Sequence, residues 1–133
     1  MLSVETINQF FSKEFPQANI EVVAIEDGNA KVRRIVTEAD LRPGGTVSGP
    51  TLMAVADCAI YVAIFSKLGI TAMAVTTNLN ISFLRKPEAD KNIVATCRLL
   101  KLGKRLVMGE VYLYSEGYDE PVAHVSGTYS LPS

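Results

Sequence analysis

Histidine is almost missing from this chain, cysteine is scarce, and neither sign of charge is in excess. Its 133 residues hold one histidine, His124, and two cysteines, Cys58 and Cys97. One imidazole and two thiols are too few for a zinc site or a disulfide framework. Both cysteines lie in apolar surroundings, so two free thiols in a reducing cytoplasm are expected. Thirteen Lys and Arg against fourteen Asp and Glu leave a formal net charge of −1. There is no basic field to recruit nucleic acid, and the short clusters Arg33-Arg34, Arg85-Lys86 and Lys104-Arg105 make no patch. The start of the chain lacks a basic region before an apolar run, so no signal peptide is expected. The apolar run from Thr51 to Phe65 is short for a bilayer and has an acid inside it, so no membrane span is expected either.

What is present is an ordinary globular composition, 48% hydrophobic and 20% charged. Its length predicts one domain over residues 1–133 with a real core. Apolar residues at Val4, Ile7, Phe10 and Phe11 predict an amphipathic helix, with Ser3 as its N-cap and Pro16 as its stop. Two strands are expected over Ile20 to Ile25 and Ala30 to Val36, separated by Glu26-Asp27-Gly28-Asn29. A loop rich in glycine and proline, Leu41 to Pro50, leads into a helix ending near Lys67 and Gly69. Four strands follow: Val75 to Phe83, Ile93 to Leu102, Leu106 to Ser115 and Val122 to Leu131. In the first of these, Val75, Thr77, Leu79, Ile81 and Phe83 alternate with Thr76, Asn78, Asn80 and Ser82, which predicts two opposite faces. The long helix is apolar all round and must be surrounded by protein. An α+β fold, an antiparallel sheet wrapped around one long central helix, meets that need, and pairing of two such units would cover what remains.

Asp57 breaks the pattern. It is the one charge between Pro43 and Ser66, in a helix expected to be buried on almost every side. Burying an unpaired carboxylate costs several kcal/mol, about 2–7 for even a neutral polar group without a partner. The acid is therefore either a member of a buried polar network or a functional group. Gly49, at the start of the same helix, offers a backbone N–H and no side chain. A helix N-terminus suits an oxyanion that develops when a carbonyl is attacked, although a glycine can equally serve a tight turn. Eight residues separate Gly49 from Asp57, about 12 Å along the axis. One small carbonyl cannot touch both, so joint action requires two subunits.

The run Gly45-Thr46-Val47-Ser48-Gly49-Pro50-Thr51-Leu52-Met53-Ala54-Val55-Ala56-Asp57-Cys58-Ala59 resembles the hotdog-fold acyl-CoA thioesterases of the phenylacetate-pathway (PaaI-like) type. So do Ala74 to Pro87, with its Phe-Leu-Arg-x-Pro stretch, and Ala123 to Tyr129. The resemblance spans roughly residues 20 to 131 and implies a hotdog fold and hydrolysis of a small or medium acyl- or aryl-CoA. It implies that Gly49 polarises the thioester carbonyl, that Asp57 from the other subunit is base or nucleophile, and that Thr76 orients water. Arg42 falls near a common active-site Asn of the family. Ser48 stands where histidine is usual, still able to donate a hydrogen bond, and Pro50 where the second glycine is usual. Arg85, Lys86, Lys104 and Arg105 are candidates for the coenzyme A phosphates, or are solvated turn charges. No metal or other cofactor is expected, and a dimer or dimer of dimers is. The lone His124 is expected near the surface of the last strand, outside the chemistry. A non-catalytic acyl-CoA or lipid-binding module is the alternative, fed by Ser48 and Pro50 and opposed by Asp57.

Overall fold

The computed structural model describes residues 2–132. Helix α1 (Val4–Glu14) opens the fold; Ser3 Oγ accepts the Thr6 N–H at 3.1 Å, the expected cap, and Ile7 and Phe11 are buried beneath it. Strands β1 (Ile20–Glu26) and β2 (Asn29–Arg34) form a hairpin whose turn places Asp27 and Gly28 at φ of 25° and 88°. The stretch expected as an unbroken loop contains a small two-stranded ribbon, β3 (Leu41–Arg42) and β4 (Thr46–Val47). Gly44 and Gly45 turn it at φ of 100° and 78°, a region open to glycine at little steric cost. Then come α2 (Gly49–Leu68), β5 (Val75–Phe83), β6 (Ile93–Leu102), β7 (Leu106–Ser115) and β8 (Ala123–Ser130).

Six strands make one sheet in the order β1-β2-β6-β7-β8-β5, every pair antiparallel. The sheet curls around α2, which contacts all six strands. This is the hotdog arrangement, one antiparallel sheet around one long helix. Its core is mostly aliphatic, with Leu52, Val55, Ile60, Ile64 and the aromatic Phe65 of α2 against Val32, Val107, Val111, Leu113 and Val125 of the strands. Gly109 and Gly127 face each other across β7 and β8 and form a notch for Ile60. A Cβ on Gly127 would lie 2.7 Å from Ile60 Cδ1 and 2.8 Å from Leu79 Cδ1. The missing side chain lets the helix sit deep on the sheet.

Two expectations are corrected. The helix was expected to be enclosed on almost every side, but one stripe is uncovered in the single chain. Pro50, Met53 and Ala54 are exposed, and Asp57 and Tyr61 half-buried. These positions share a face at helical spacing, so the sheet covers most of the circumference and leaves this strip. The helix also extends beyond the apolar run Thr51 to Phe65 at both ends. Its 20 residues, at a mean hydropathy of 1.6 in the best window, could cross a membrane by length and composition, yet 61% of that window is buried by the fold itself. The second correction concerns β5, where the clean alternation fails. Thr76 pairs with Tyr129 and Asn78 with Thr128, leaving Thr77 as an extra residue. This bulge flips Thr76 from the outward side onto the helix-facing side, with Leu79 and Ile81.

Candidate active site

The start of α2 is built on an acid that the sequence did not single out. Asp40 is 3% exposed. Its carboxylate pairs with Arg34 Nη2 at 2.6 Å, accepts the Thr37 N–H at 2.9 Å and accepts Thr51 Oγ1 at 3.2 Å. Its main-chain oxygen accepts the Ser48 N–H at 2.8 Å. Burial pushes the acid's pKa up, but Thr37, Arg34 and Thr51 together hold it below the usual aspartate value. The readable signal was the Thr37-x-x-Asp40 capping box, which is present on both sides. Ser48 is the N-cap of α2: its hydroxyl accepts the Thr51 N–H at 3.3 Å and donates to Thr51 Oγ1 at 3.0 Å. Pro50 occupies the first turn, as expected. Among the described residues no hydrogen bond engages the Gly49 N–H, which leaves a donor at the positive end of the helix.

Gly49 opens onto a cleft of ≈ 450 Å³ that Arg42, Phe83, Arg85 and Lys86 also line. A Cβ at Gly49 would lie 3.1 Å from Phe83 Cζ, so the ring rests on the glycine and a side chain there would displace it. Three of the five candidate cations therefore gather beside the helix start. Arg85 is partly engaged, with Glu120 and the Pro121 carbonyl. Among the described residues neither Arg42 nor Lys86 forms an ion pair. Lys104 and Arg105 belong to the β6–β7 turn and lie outside this cleft. A further depression of ≈ 430 Å³ lies over the sheet beside Lys31, Arg98, Glu110 and Tyr112. One of its two acids is already satisfied, since Glu110 meets Arg98 at 3.2 Å and His124 Nε2 at 3.0 Å. His124 thus sits half-buried on β8, away from Asp57, in the outward position expected of it.

Asp57 lies two helical turns beyond Gly49, against the other end of β5. Thr76 Oγ1 donates to Asp57 Oδ1 at 2.6 Å. Tyr129, on β8, donates to the same oxygen at 2.8 Å and reaches the Asp57 main-chain oxygen at 3.0 Å. Oδ2 has no partner among the described residues. Sequence reasoning found Asp57 and Thr76 but missed Tyr129, because a tyrosine alternating with Val125 and Ala123 reads as a core residue. The neighbouring Cys58 is buried, and burial first, then the Asp57 charge, pushes its thiol up to about 12. It therefore stays protonated near neutral pH and is no nucleophile. Within one chain the carboxylate and the free N–H face different ends of β5. Only a second chain can bring them together.

The fold has close counterparts. A family model described as "Thioesterase superfamily" matches residues 44–121, which contain Gly49, Asp57, Thr76, Arg85 and Lys86 but not Arg42. A solved structure from Silicibacter sp., assigned to the thioesterases, is 40% identical with a TM-score of 0.92, covering 100% of this chain and 94% of its own. A variant of the phenylacetic acid degradation protein PaaI from Thermus thermophilus is 25% identical at a TM-score of 0.75, covering 93% and 99%. Zebrafish thioesterase superfamily member 2, at 23% identity and a TM-score of 0.87 over 99% and 100%, shares the fold. No curated protein sequence matches this chain significantly.

Proposed function

The chain belongs to the thioesterase superfamily, as a thioester hydrolase of the PaaI type, and on that premise we propose that it hydrolyses small or medium acyl- or aryl-CoA thioesters at a site shared by two subunits. The observation that carries this reading is the placement of Asp57. It lies on the open stripe of a helix whose other charge is Lys67 in the last turn, ordered by hydroxyls at 2.6 and 2.8 Å, with one carboxylate oxygen unengaged among the described residues. In the reaction, water adds to the thioester carbonyl while Asp57 takes its proton; attack by the carboxylate itself is the variant form. The negative charge formed on the carbonyl oxygen is met by the N–H of the partner subunit's Gly49. Collapse of the tetrahedral species breaks the C–S bond, releases the thiolate and leaves the carboxylic acid. A thiolate is a good leaving group, so the chain needs no strong acid on that side.

Thr76 holds and orients the Asp57 end, and Ser48 and Pro50 shape the helix start so that the Gly49 N–H points outward. Arg42, Arg85 and Lys86 are placed to meet the phosphates of coenzyme A in the cleft at Gly49. Lys104 and Arg105, outside that cleft in one chain, would reach the same substrate only from a neighbouring subunit. The separation of Gly49 and Asp57 supports an assembly of at least two chains, and the family resemblance supports a dimer or dimer of dimers. The two free, buried thiols suit a reducing cytoplasm.

The test is thiol release from short, long and aryl acyl-CoAs, comparing wild type with Asp57→Asn. Loss of a general base is typically worth about 10²–10⁴-fold, so kcat/KM is expected to fall by about 10² or more with folding intact. If no acyl-CoA turns over and Asp57→Asn changes only thermal stability, the chain is a binding module on the same fold.

A further inference from the structure

One well-ordered group beside Asp57 has no part in the chemistry described so far. The Tyr129 ring is 4% exposed and stacks on Tyr61 with centroids 5.9 Å apart and planes 22° apart. Packing therefore fixes its torsions, and its hydroxyl is delivered to one point. That point lies between two oxygens of the same residue, the Asp57 carbonyl at 3.0 Å and Asp57 Oδ1 at 2.8 Å. Thr76 reaches Oδ1 from β5, on the neighbouring strand, at 2.6 Å. We propose that Tyr129 is a positioning residue for Asp57: with Thr76 it commits Oδ1 to two hydroxyl donors and presents Oδ2 alone to the reacting water. The inference rests on the thioesterase reading of Asp57.

The need for such a device follows from the side chain itself. The terminal torsion of an aspartate is broad and roughly two-fold, so a carboxylate on an open helix face can offer either oxygen in many orientations. Thr76 by itself is a weak guide, because its small hydroxyl rotates freely about its C–O bond. Tyr129 is different: a rigid ring, held in the core on β8, that also touches the main chain of the residue it guides. Its distance to the Asp57 carbonyl fixes it relative to the helix axis, so the carboxylate is aligned to the helix as well as to the sheet. The phenol remains a donor at all relevant pH, since burial first and the Asp57 charge second raise its pKa far above the usual tyrosine value. It is not a base in the reaction, and it needs no contact with substrate.

The test is steady-state kinetics on four full-length proteins: wild type, Tyr129→Phe, Asp57→Asn and the double variant, with the best acyl-CoA from the panel. A misplacement of about 1 Å can lower a rate by about 10², so Tyr129→Phe is expected to lose about 10- to 10²-fold in kcat with KM changed less than about twofold. In the Asp57→Asn background the same change is expected to cost nothing further, because the group it positions is gone. Unchanged kcat in Tyr129→Phe overturns the proposal. So does an equal fold-loss in both backgrounds, which marks the hydroxyl as a general structural bond. So too does loss of a cooperative unfolding transition in Tyr129→Phe. If Asp57→Asn keeps full turnover, the thioesterase role of Asp57 fails first. If Asp57→Asn is inactive while Tyr129→Phe equals wild type, only the positioning role fails.

Discussion

Asp40 and Asp57, seventeen positions apart, show how differently one carboxylate can be used. Asp40 is enclosed, paired with Arg34 at 2.6 Å and joined through Thr51 to the cap of α2. Removing one partner of a buried pair leaves the other uncompensated, at about 3–5 kcal/mol. Asp40→Asn is therefore expected to destabilise the protein by about that amount in chemical denaturation. Its pH dependence has a definite sign. The folded pKa lies below the ordinary value of 3.8, so the stabilisation is complete above that value and drains away as the pH falls through the lowered folded pKa. Wild type should lose stability in that acid window, and Asp40→Asn should show a flatter acid limb in melts across pH. Glu116, lowered chiefly by Arg33, and Glu110, lowered chiefly by His124, add to the same acid trend. Asp57 was legible because a charge in an apolar helix is out of place. Asp40 was not, since an acid in a polar loop looks ordinary until its loop folds over the core. Tyr129 hid for the opposite reason, being as apolar as its neighbours except for one oxygen.

Between elements, the decisive contact is α2 on the β7–β8 floor. Ile60 fills the notch of Gly109 and Gly127, one turn after Asp57, so the depth of the helix governs how close Asp57 comes to Thr76 and Tyr129. Gly127→Ala would put a methyl 2.7 Å from Ile60 Cδ1 in a buried site. Overpacking of this kind costs about 1–3 kcal/mol. That loss is expected in thermal or urea unfolding, with part of it restored when Ile60→Val removes the clashing carbon. If the double variant is no more stable than Gly127→Ala, Ile60 is not the obstruction. Strand positions were readable to within a residue or two at most ends, because runs of alternating apolar residues bounded by turn residues leave few alternatives. The bulge at Thr77 was not readable: Val75 to Phe83 alternates without a break, and the extra residue becomes visible only against the register of β8. That one residue decides whether Thr76 faces solvent or Asp57.

At the scale of the whole molecule, the single chain is incomplete in two places that adjoin. Strand β5 is an edge, paired on one side with β8 alone, and carries Val75 and Phe83 at 56% and 57% exposure. Beside it runs the uncovered stripe of α2 with Pro50, Met53 and Ala54. A second copy laid antiparallel along this edge would bring the Gly49 end of one chain beside the Asp57 end of the other. The expected outcome is a species of at least two chains in light scattering, with specific activity constant at high enzyme concentration and falling on dilution as the subunits part. Activity that stays constant while the scattering mass falls to one chain would rule out a shared site. The all-apolar helix announced this need in the sequence, but which strip would stay bare depended on how far the sheet curls. The same topology fixes an order of events during synthesis. Helix α2 leaves the ribosome before β6, β7 and β8, the strands that later cover it. At about 5–20 residues per second the nascent chain carries its most apolar segment for several seconds with only β1 and β2 at hand to cover it. The buried heart of the finished protein is, for that interval, only partly sheltered.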